Sequence, residues 1–248
     1  MSIPQSGGGP IEHHDQLAEY LASGCKPKED WRIGTEHEKF GYCRDTLKPL
    51  PYEGPRSVRA MLEGLRDRFH WTPVEEGGHL IGLVKDGANV SLEPGGQLEL
   101  SGAPLETIHQ TCDEVNHHLA EVKEVADEIG IGFIGLGAAP VWTHEQMDLM
   151  PKGRYKLMDK YMQEVGTHGT QMMRRTCTVQ VNLDFASEPD MVQKMRVALA
   201  SLLFSQPDLL VLYGSSELGS DPRIPDKAVD FFEQFPTGFR VFEVGKPG

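Results

Sequence analysis

Ten residues of unbroken alternation between polar and apolar side chains, from Thr176 to Phe185, constrain the fold of this chain more than any other feature. Successive side chains of a β-strand point to opposite faces, so a period of two predicts a strand with one apolar face. The other face carries hydroxyl and amide groups, including those of Thr178, Gln180 and Asn182. Such a face is suited to lining a polar site, although simple exposure to solvent is an alternative explanation.

Turn signals between three further short runs predict a sheet that this strand can join. The runs are separated by Lys-Asp-Gly-Ala and by Pro-Gly-Gly, and Asp-Gly and Pro-Gly are strong turn signals. We therefore expect a three-stranded antiparallel meander with strands at residues 79–84, 88–93 and 97–101. Its second turn places Glu93 and Glu99 on its two sides, with Gln97 on the same face as Glu99.

Two acids, Glu36 and Glu38, are separated by one residue in the stretch Trp31–Tyr42. In a strand both carboxylates lie on one face, while His37 points to the other, so we assign His37 no catalytic role. Like charges about 4 Å apart repel by roughly 4 kcal/mol at an effective dielectric constant near 20. A fold must offset that repulsion with a cation, a shared proton or open water. On spacing alone, a solvated edge strand also accounts for the pattern.

The segments before, between and after these strands show the periodicity of helices. Apolar residues recur every three or four positions in five segments, which we predict to be helices at residues 10–24, 57–69, 104–128, 150–165 and 189–204. The Gly-x-Gly-x-x-Gly pattern at 130–135 follows a helix instead of preceding one, so it predicts a buried strand and not a dinucleotide site. The expected fold class is α+β, an antiparallel sheet with flanking helices.

Composition and charge exclude several classes of function. The net charge of −13 repels a phosphate backbone, which argues against a nucleic-acid partner. No apolar run is long enough to cross a membrane. Met1–Pro10 has neither the basic start nor the apolar core of a secretory signal peptide, so we expect a cytoplasmic protein. The cysteines are too far apart for a zinc ribbon or a disulfide framework; they are Cys25, Cys43, Cys112 and Cys177.

Placing the acidic strands on one sheet gathers Glu36, Glu38, Glu93 and Glu99, with Gln97 beside them. Magnesium prefers oxygen ligands of this kind, completed by water and phosphate, so the surface is suited to binding a triphosphate through Mg²⁺. Arg154 adds a cation for a phosphate or a carboxylate substrate. Two other functions could use the same acids. A glycosidase needs a carboxylate pair without a metal, and a cation-binding module needs only the cluster.

Four longer motifs resemble one known family. They are Arg-Ile-Gly-Thr-Glu-His-Glu-Lys-Phe at 32–40, Ser-Leu-Glu-Pro-Gly-Gly-Gln-Leu-Glu-Leu-Ser-Gly-Ala-Pro-Leu-Glu-Thr at 91–107, Met-Pro-Lys-Gly-Arg-Tyr at 150–155 and Arg-Thr-Cys-Thr-Val-Gln-Val-Asn-Leu-Asp-Phe at 175–185. The chain resembles glutamate–cysteine ligase of the plant and proteobacterial type from about Pro4 to Ala200. The resemblance implies an antiparallel sheet related to the glutamine synthetase catalytic fold.

The resemblance also implies a reaction. ATP phosphorylates the γ-carboxylate of glutamate, and the amine of cysteine then attacks the acyl phosphate, in the first step of glutathione biosynthesis. The implied partners are ATP, L-glutamate and L-cysteine, with Mg²⁺ as cofactor. Implied metal ligands are Glu36, Glu38, Glu93 and Glu99. Implied catalytic residues are Arg154, Gln180 and Asn182. Implied substrate-binding residues are Gln97, Tyr155 and Thr178.

The resemblance does not extend to the end of the chain. Residues 1–200 match the N-terminal part of a ligase catalytic domain, whereas residues 201–248 form a divergent tail without assignment, so the chain looks truncated and the fold incomplete. This leaves two alternatives to a working ligase. One is a non-catalytic remnant that binds Mg-nucleotide or an amino acid. The other is a phosphotransferase that acts on another carboxylate.

Overall fold

A computed structural model of the protein describes residues 9–139 and 141–205, with side chains as far as Leu199. The chain divides into two compact units, the first ending at Phe185 and the second beginning at Ala186. The predicted domain boundary at residue 200 stays a prediction, and most of the predicted tail lies outside the described residues.

The described residues form six α-helices and seven β-strands. The helices are α1 (Asp15–Ala22), α2 (Val58–Phe69), α3 (Ile108–Ile129), α4 (Gly153–Val165), α5 (Gly169–Arg175) and α6 (Glu188–Ser205). The strands are β1 (Ile33–Cys43), β2 (Thr72–Glu76), β3 (His79–Lys85), β4 (Ala88–Leu92), β5 (Leu98–Ser101), β6 (Ile131–Ile134) and β7 (Val179–Leu183). No helix within the ranges described is long and apolar enough to cross a membrane.

All seven strands belong to one antiparallel sheet in which β1 is central. Strands β2, β3, β4 and β5 follow one another as a meander, and β5 pairs with β1. The other edge of β1 is shared, because β7 pairs with its first half and β6 with its second half. The predicted α+β class and the three-stranded meander are therefore confirmed.

The hydrophobic core lies on one side of this sheet, beneath α2 and α3. Alternate residues of β3, β4 and β5 point to that side and are wholly buried, among them Leu83, Val90 and Leu100. Helix α2 contributes Leu62, and α3 contributes Val125, to the same cluster. The opposite side of β4 and β5 carries polar residues, and that of β1 carries Glu36 and Glu38 and then Phe40, which packs in a second, smaller apolar cluster with Trp142 and Met147.

The start of α3 differs from the prediction. The helix begins at Ile108 and not near Pro104, because Ile33 and Leu105 exchange backbone hydrogen bonds of 2.7 and 2.9 Å that hold residues 104–106 beside β1. Thr107 then caps the helix: its hydroxyl accepts from the Gln110 amide, and the Gln110 side chain accepts from the Thr107 amide. This reciprocal pair satisfies two backbone donors that a helix start otherwise leaves open.

Two elements were not predicted, and two are shorter than expected. Strand β2 lies at the sheet edge, the position at which a strand tolerates a residue without an amide donor, here Pro73. The second element that was not predicted is α5, a short helix that follows α4. Helix α1 covers fewer residues than predicted, and β7 covers only 179–183 of the ten alternating residues.

The second unit is described only through α6. Its start is capped by side chains, since the Ala186 amide donates to Asp190 at 2.8 Å and Lys194 pairs with the same carboxylate at 2.8 Å. The helix predicted at 189–204 is confirmed.

Candidate functional site

The strand register places the predicted acids on one face of the sheet. Glu38 lies opposite Glu99, and Glu36 lies opposite Ser101 on β5 and opposite Gln180 on β7. Residues directly opposite on antiparallel strands share a face, so these side chains point to the same side. We call this side the acidic face; its members are Glu36, Glu38, Ser91, Glu93, Gln97, Glu99, Ser101, Thr178, Gln180 and Asn182.

Glu38 and Glu99 are two acids directly opposite each other on this face. The amide of Glu38 donates to the carbonyl of Thr178, the residue before β7, so towards β5 the Glu38–Glu99 pair is not hydrogen-bonded through the backbone. Such pairs have Cα atoms about 4.5 Å apart, which brings their side chains together. Burial raises the pKa of Glu38, and the nearby charges of Glu99 and Glu36 raise it further against the hydrogen bonds from Thr178.

Polar side chains of β7 bind the acids of β1. The Thr178 amide and hydroxyl donate to the two oxygens of Glu38, at 3.0 and 3.1 Å. The Asn182 amide donates to Glu36 at 3.2 Å, and the Gln180 amide donates to the Thr178 hydroxyl at 3.0 Å. The structure therefore brings Thr178 and Asn182 into contact with two of the predicted metal ligands, with Gln180 bonded to Thr178 between them.

The turn between β4 and β5 carries Glu93 and is fixed by Gln97. The backbone amide of Glu93 donates to the Gln97 carbonyl at 2.9 Å. The buried Gln97 side chain accepts from the Gly95 amide at 2.8 Å and donates to the carbonyls of Met173 and Thr176 at 3.2 and 2.7 Å. Gln97 thus ties the turn to the end of α5, and its substrate contact stays a prediction.

The first turn of α4 brings Arg154 and Tyr155 to the same end of the acidic face. The Tyr155 hydroxyl lies 2.8 Å from the Leu92 carbonyl oxygen and 3.3 Å from a Glu93 oxygen, and it accepts from Arg154 at 3.2 Å. Burial raises the pKa of Tyr155, so the phenol stays protonated. The hydroxyl can therefore donate to a carbonyl or a carboxylate here.

Lys152 is a member of this group that sequence reasoning missed. Its side chain is wholly buried, and its Nζ donates to the Leu92 carbonyl at 2.7 Å and lies 5.2 Å from the centre of the Tyr155 ring. Burial lowers its pKa to about 8, against the opposing effect of Glu93. Its place in Met-Pro-Lys-Gly-Arg-Tyr, at the residue before α4, was the available signal.

A second buried lysine, Lys39, lies on the other side of β1. Its Nζ donates to the carbonyls of His37 and Leu98 at 3.3 and 3.4 Å. Burial lowers its pKa to about 8, and the charges of Cys177, Glu99 and Glu38 act in the opposite direction. The predicted orientation of His37 away from the acids is confirmed by its register opposite Leu100.

The four predicted metal ligands share a face, but the described residues contain no group of three or more His, Cys, Asp or Glu side chains close enough to hold a metal ion. Each acid instead meets a hydrogen-bonding side chain: Asn182 for Glu36, Thr178 for Glu38, Tyr155 for Glu93 and Ser101 for Glu99. The donor set of carboxylate oxygens fits a hard cation such as Mg²⁺. A shared ion requires these side chains to turn away from their present partners.

Comparison with known proteins identifies relatives of the segment that carries this face. A family profile described as glutamate-cysteine ligase family 2 matches residues 32–206, a range that includes every predicted site residue. The chain is 55% identical over 207 residues to the chloroplastic glutamate–cysteine ligase of Medicago truncatula, covering 84% of this chain and 39% of that protein. It is 58% identical over 191 residues to chloroplastic glutamate–cysteine ligase A of Oryza sativa subsp. japonica, covering 77% and 38%.

The chloroplastic glutamate–cysteine ligase of Arabidopsis thaliana gives a similar result, with 55% identity over 207 residues, or 84% of this chain and 38% of that protein. The chain therefore spans well under half the length of the curated relatives it matches. The expectation of a cytoplasmic protein is wrong on this comparison, because these relatives are all chloroplastic. The sequence test addressed a secretory signal peptide, and a plastid transit segment requires neither its basic start nor its apolar core.

Proposed function

The chain belongs to glutamate-cysteine ligase family 2, and from this premise we propose that it forms part of a site for the ATP-dependent joining of glutamate to cysteine. In the first step a γ-carboxylate oxygen of glutamate attacks the terminal phosphorus of ATP, and ADP leaves. In the second step the amine nitrogen of cysteine attacks the acyl carbon, inorganic phosphate leaves, and the nitrogen loses a proton. The product is the γ-glutamyl dipeptide that begins glutathione synthesis.

The single observation that carries this proposal is the register that puts Glu36, Glu38 and Glu99 on one face beside the polar side chains of β7. In this proposal the exposed amides of Gln180 and Asn182 bind oxygens of the transferred phosphoryl group. Phosphoryl transfer depends mainly on positioning and on neutralising charge, which amide donors and cations supply.

Arg154, in the first turn of α4, binds the acidic substrate in this proposal. Arg154 supplies a guanidinium that can pair with a carboxylate or phosphate in a bidentate manner. Tyr155 and Lys152 hold the turn that carries Glu93, since both bond to the Leu92 carbonyl. Thr178 orients Glu38, and Gln97 orients the turn that carries Glu93. We propose that both also contact the substrate.

We propose Glu36, Glu38, Glu93 and Glu99 as the residues that would hold Mg²⁺. A bound Mg²⁺ would supply neutralisation of the nucleotide phosphates and orientation of the reacting oxygen atoms. Burial is the main cause of the raised pKa of Glu38, and a bound cation would offset the smaller contribution that the charges of Glu99 and Glu36 add to it.

A second candidate function is binding of nucleotide or amino acid without turnover. The observation in its favour is the openness of β7, whose apolar residues Val179, Val181 and Leu183 are 69, 56 and 58% exposed. In a catalytic site, the segment that carries Thr178, Gln180 and Asn182 is expected to be packed on both faces, so that these donors are held in place. The exposed apolar face of β7 lacks such packing, which favours binding without turnover.

The test is a coupled assay of ADP release with Mg-ATP, glutamate and cysteine, accompanied by calorimetry with Mg-ATP. ADP release that requires both amino acids supports the ligase. Nucleotide binding without ADP release supports the binding function, and ADP release that needs glutamate but no amine indicates a phosphotransferase. Calorimetry with glutamate tests the amino-acid form of the binding function. The absence of both nucleotide and glutamate binding refutes all of these and leaves a glycosidase or a simple cation-binding module.

Matched variants connect either result to the acidic face. Glu38→Gln keeps an acceptor for Thr178 but removes one charge, and Arg154→Met removes the guanidinium. Both are expected to lower Mg-ATP or glutamate binding at least about tenfold, since hydrogen bonds to charged groups are the strong ones. Glu164→Gln, an exposed acid near the end of α4, is the control that should change neither property.

A further inference from the structure

Strand β7 pairs with β1 along one edge, and no strand within the described part of the chain pairs with its other edge. The amide of Glu38 donates to the carbonyl of Thr178 at 3.1 Å, so in this register the backbone groups of the even-numbered residues of β7 point towards β1. The backbone groups of Val179, Val181 and Leu183 therefore point to the open edge. Such a row of amides and carbonyls is a template on which another strand can pair.

The side chains of β7 are uncharged on both faces of the sheet. Val179, Val181 and Leu183 are each more than half exposed on one face. Gln180 and Asn182 lie on the acidic face and are exposed as well. No charge within these five residues would repel a neighbouring strand.

The edge at the other end of the sheet is protected against such pairing. Strand β2 carries Pro73, which has no amide donor, and the charged residues Glu75 and Glu76, and its register shifts after Val74. Proline, charge and bulges are the features by which edge strands avoid pairing with other molecules. Strand β7, with the sequence Val-Gln-Val-Asn-Leu and a regular register, has none of them. Its edge is therefore suited to a partner.

The sequence of β7 is complementary to itself in the antiparallel orientation. When Val181 lies opposite Val181 of a second copy, Val179 lies opposite Leu183 and Gln180 lies opposite Asn182. Apolar side chains then meet apolar side chains, and amides meet amides. The outward backbone groups of residues 179, 181 and 183 are also the ones that pair in this register. A strand that pairs with a different polypeptide would not need to match its own reverse.

We propose that two copies of this chain associate through their β7 strands, antiparallel and related by a two-fold axis at Val181, so that their sheets join into one. The contact uses the same surface of both copies, so it closes at a dimer. Gln180 of each copy lies beside Asn182 of the other on the joined acidic face. The apolar residues of both strands form one strip on the opposite face.

This dimer does not depend on the proposed ligase function, because it requires only β7 and its open edge. A five-residue strand is a small contact, so the dimer should be reversible and dependent on protein concentration.

Sedimentation velocity on the full 248-residue chain over a range of concentrations tests the proposal. We expect a reversible change from a species of 27.5 kDa to one of twice that mass. Raised salt should favour the dimer, because it screens the repulsion between two copies that each carry a net charge of −13. A monomer at every concentration, growth beyond the dimer, or a dimer that salt dissociates would overturn the proposal.

Two substitutions at the two-fold axis locate the contact. Val181→Pro removes an amide donor that faces away from β1, and Val181→Lys places two like charges opposite each other. Each should raise the concentration at the midpoint of dimer formation at least about tenfold, because both copies lose a contact. Leu157→Lys, at an apolar position of α4 that is 73% exposed, should leave the midpoint unchanged. A dimer that survives both β7 variants contradicts the assignment.

Amide hydrogen exchange, measured residue by residue by NMR, tests the pairing in the wild-type chain without any substitution. The amides of Val179, Val181 and Leu183 should exchange at least about tenfold more slowly at concentrations where the dimer forms, since only there are they hydrogen-bonded. Those of Gln180 and Asn182 point towards β1 and should change less. Exchange at residues 179, 181 and 183 that does not depend on concentration would overturn the proposal.

Discussion

Glu38 and Glu99 lie directly opposite each other on β1 and β5, and each carboxylate accepts a hydrogen bond from a hydroxyl group. The donor is Thr178 for Glu38 and Ser101 for Glu99. Each carboxylate thereby has a hydroxyl donor, while two acids stand on facing strands. Glu99 is only 2% exposed, so water screens the repulsion poorly. The cost of this arrangement should be visible in the dependence of stability on pH.

Replacing Glu38 by Gln should remove that cost. Because the folded-state pKa of Glu38 is raised above its ordinary value of 4.5, the folded protein binds more protons than the unfolded chain at and just above that value. The contribution of Glu38 to the free energy of unfolding should therefore fall as pH rises through this window, so the wild type should lose stability relative to Glu38→Gln. Urea unfolding from pH 4 to 7 measures this difference. Glu19→Gln, on the exposed face of α1, is the control, and identical slopes in wild type and Glu38→Gln contradict the prediction.

Lys39→Met should stabilise the protein at neutral pH. The pKa of Lys39 falls from 10.5 to about 8 through burial, which corresponds to about 3 kcal/mol of destabilisation of the charged form. Since the unfolded chain holds this proton up to about 10.5, the wild type should gain stability as pH rises from about 8 to 10.5.

The advantage of Lys39→Met should accordingly be largest at pH 7 and shrink towards pH 10.5, as measured by chemical unfolding at a series of pH values. Lys123→Met, at a mostly exposed position of α3, provides the comparison. A variant less stable than wild type at pH 7 would show that the two carbonyl contacts of Nζ outweigh the burial of its charge.

The acidic face was predictable because it depends on the period of two. Alternation in β1 and β7, and the turn at 93–97, determine which residues share a face whatever the detailed packing. The alternation in β1 thus located Glu36 and Glu38, and the turn located Glu99, without knowledge of the register.

The buried lysines could not be predicted in the same way. Lysine is almost always exposed, and the burial of Lys39 and Lys152 results from α3 and α4 packing over β1 and β4, a tertiary arrangement with no local signal. The prediction of where α3 begins failed for a similar reason, because the backbone pairing of Leu105 with Ile33 outweighed the helical periodicity of the sequence. The exposure of the apolar residues of β7 could not be predicted either. Alternation shows that a strand has an apolar face, but not whether another layer of the protein covers that face.

Cys43 should react with alkylating agents before the other cysteines. Hydrogen bonds from Thr46 and then from Arg56 lower its pKa to about 7, so much of the thiol is ionised at pH 7.5. Cys177 should be the slowest, because it is buried and its pKa is raised. Iodoacetamide labelling followed by peptide mass spectrometry gives the order.

Thr46→Val should slow labelling of Cys43 several-fold at pH 7.5 and move the midpoint of its pH–rate profile upward, because the principal stabiliser of the thiolate is lost. Thr167→Val, in the exposed segment between α4 and α5, should leave the profile unchanged. A midpoint that stays near 7 in Thr46→Val would show that Arg56 alone sets the reactivity.

Gly95→Ala should weaken the turn that holds Glu93 at the acidic face. A Cβ at this position would lie 2.3 Å from the Arg174 carbonyl oxygen, and a backbone atom cannot move aside as a flexible side chain can. We expect a loss of about 1–3 kcal/mol in the free energy of unfolding, because the turn must separate from the end of α5. Gly135→Ala is the matched control, since a Cβ there meets nothing within 4 Å. Its effect should be neutral or slightly stabilising, because alanine restricts the unfolded chain. Equal effects of the two substitutions in urea unfolding would show that the turn can shift freely against α5.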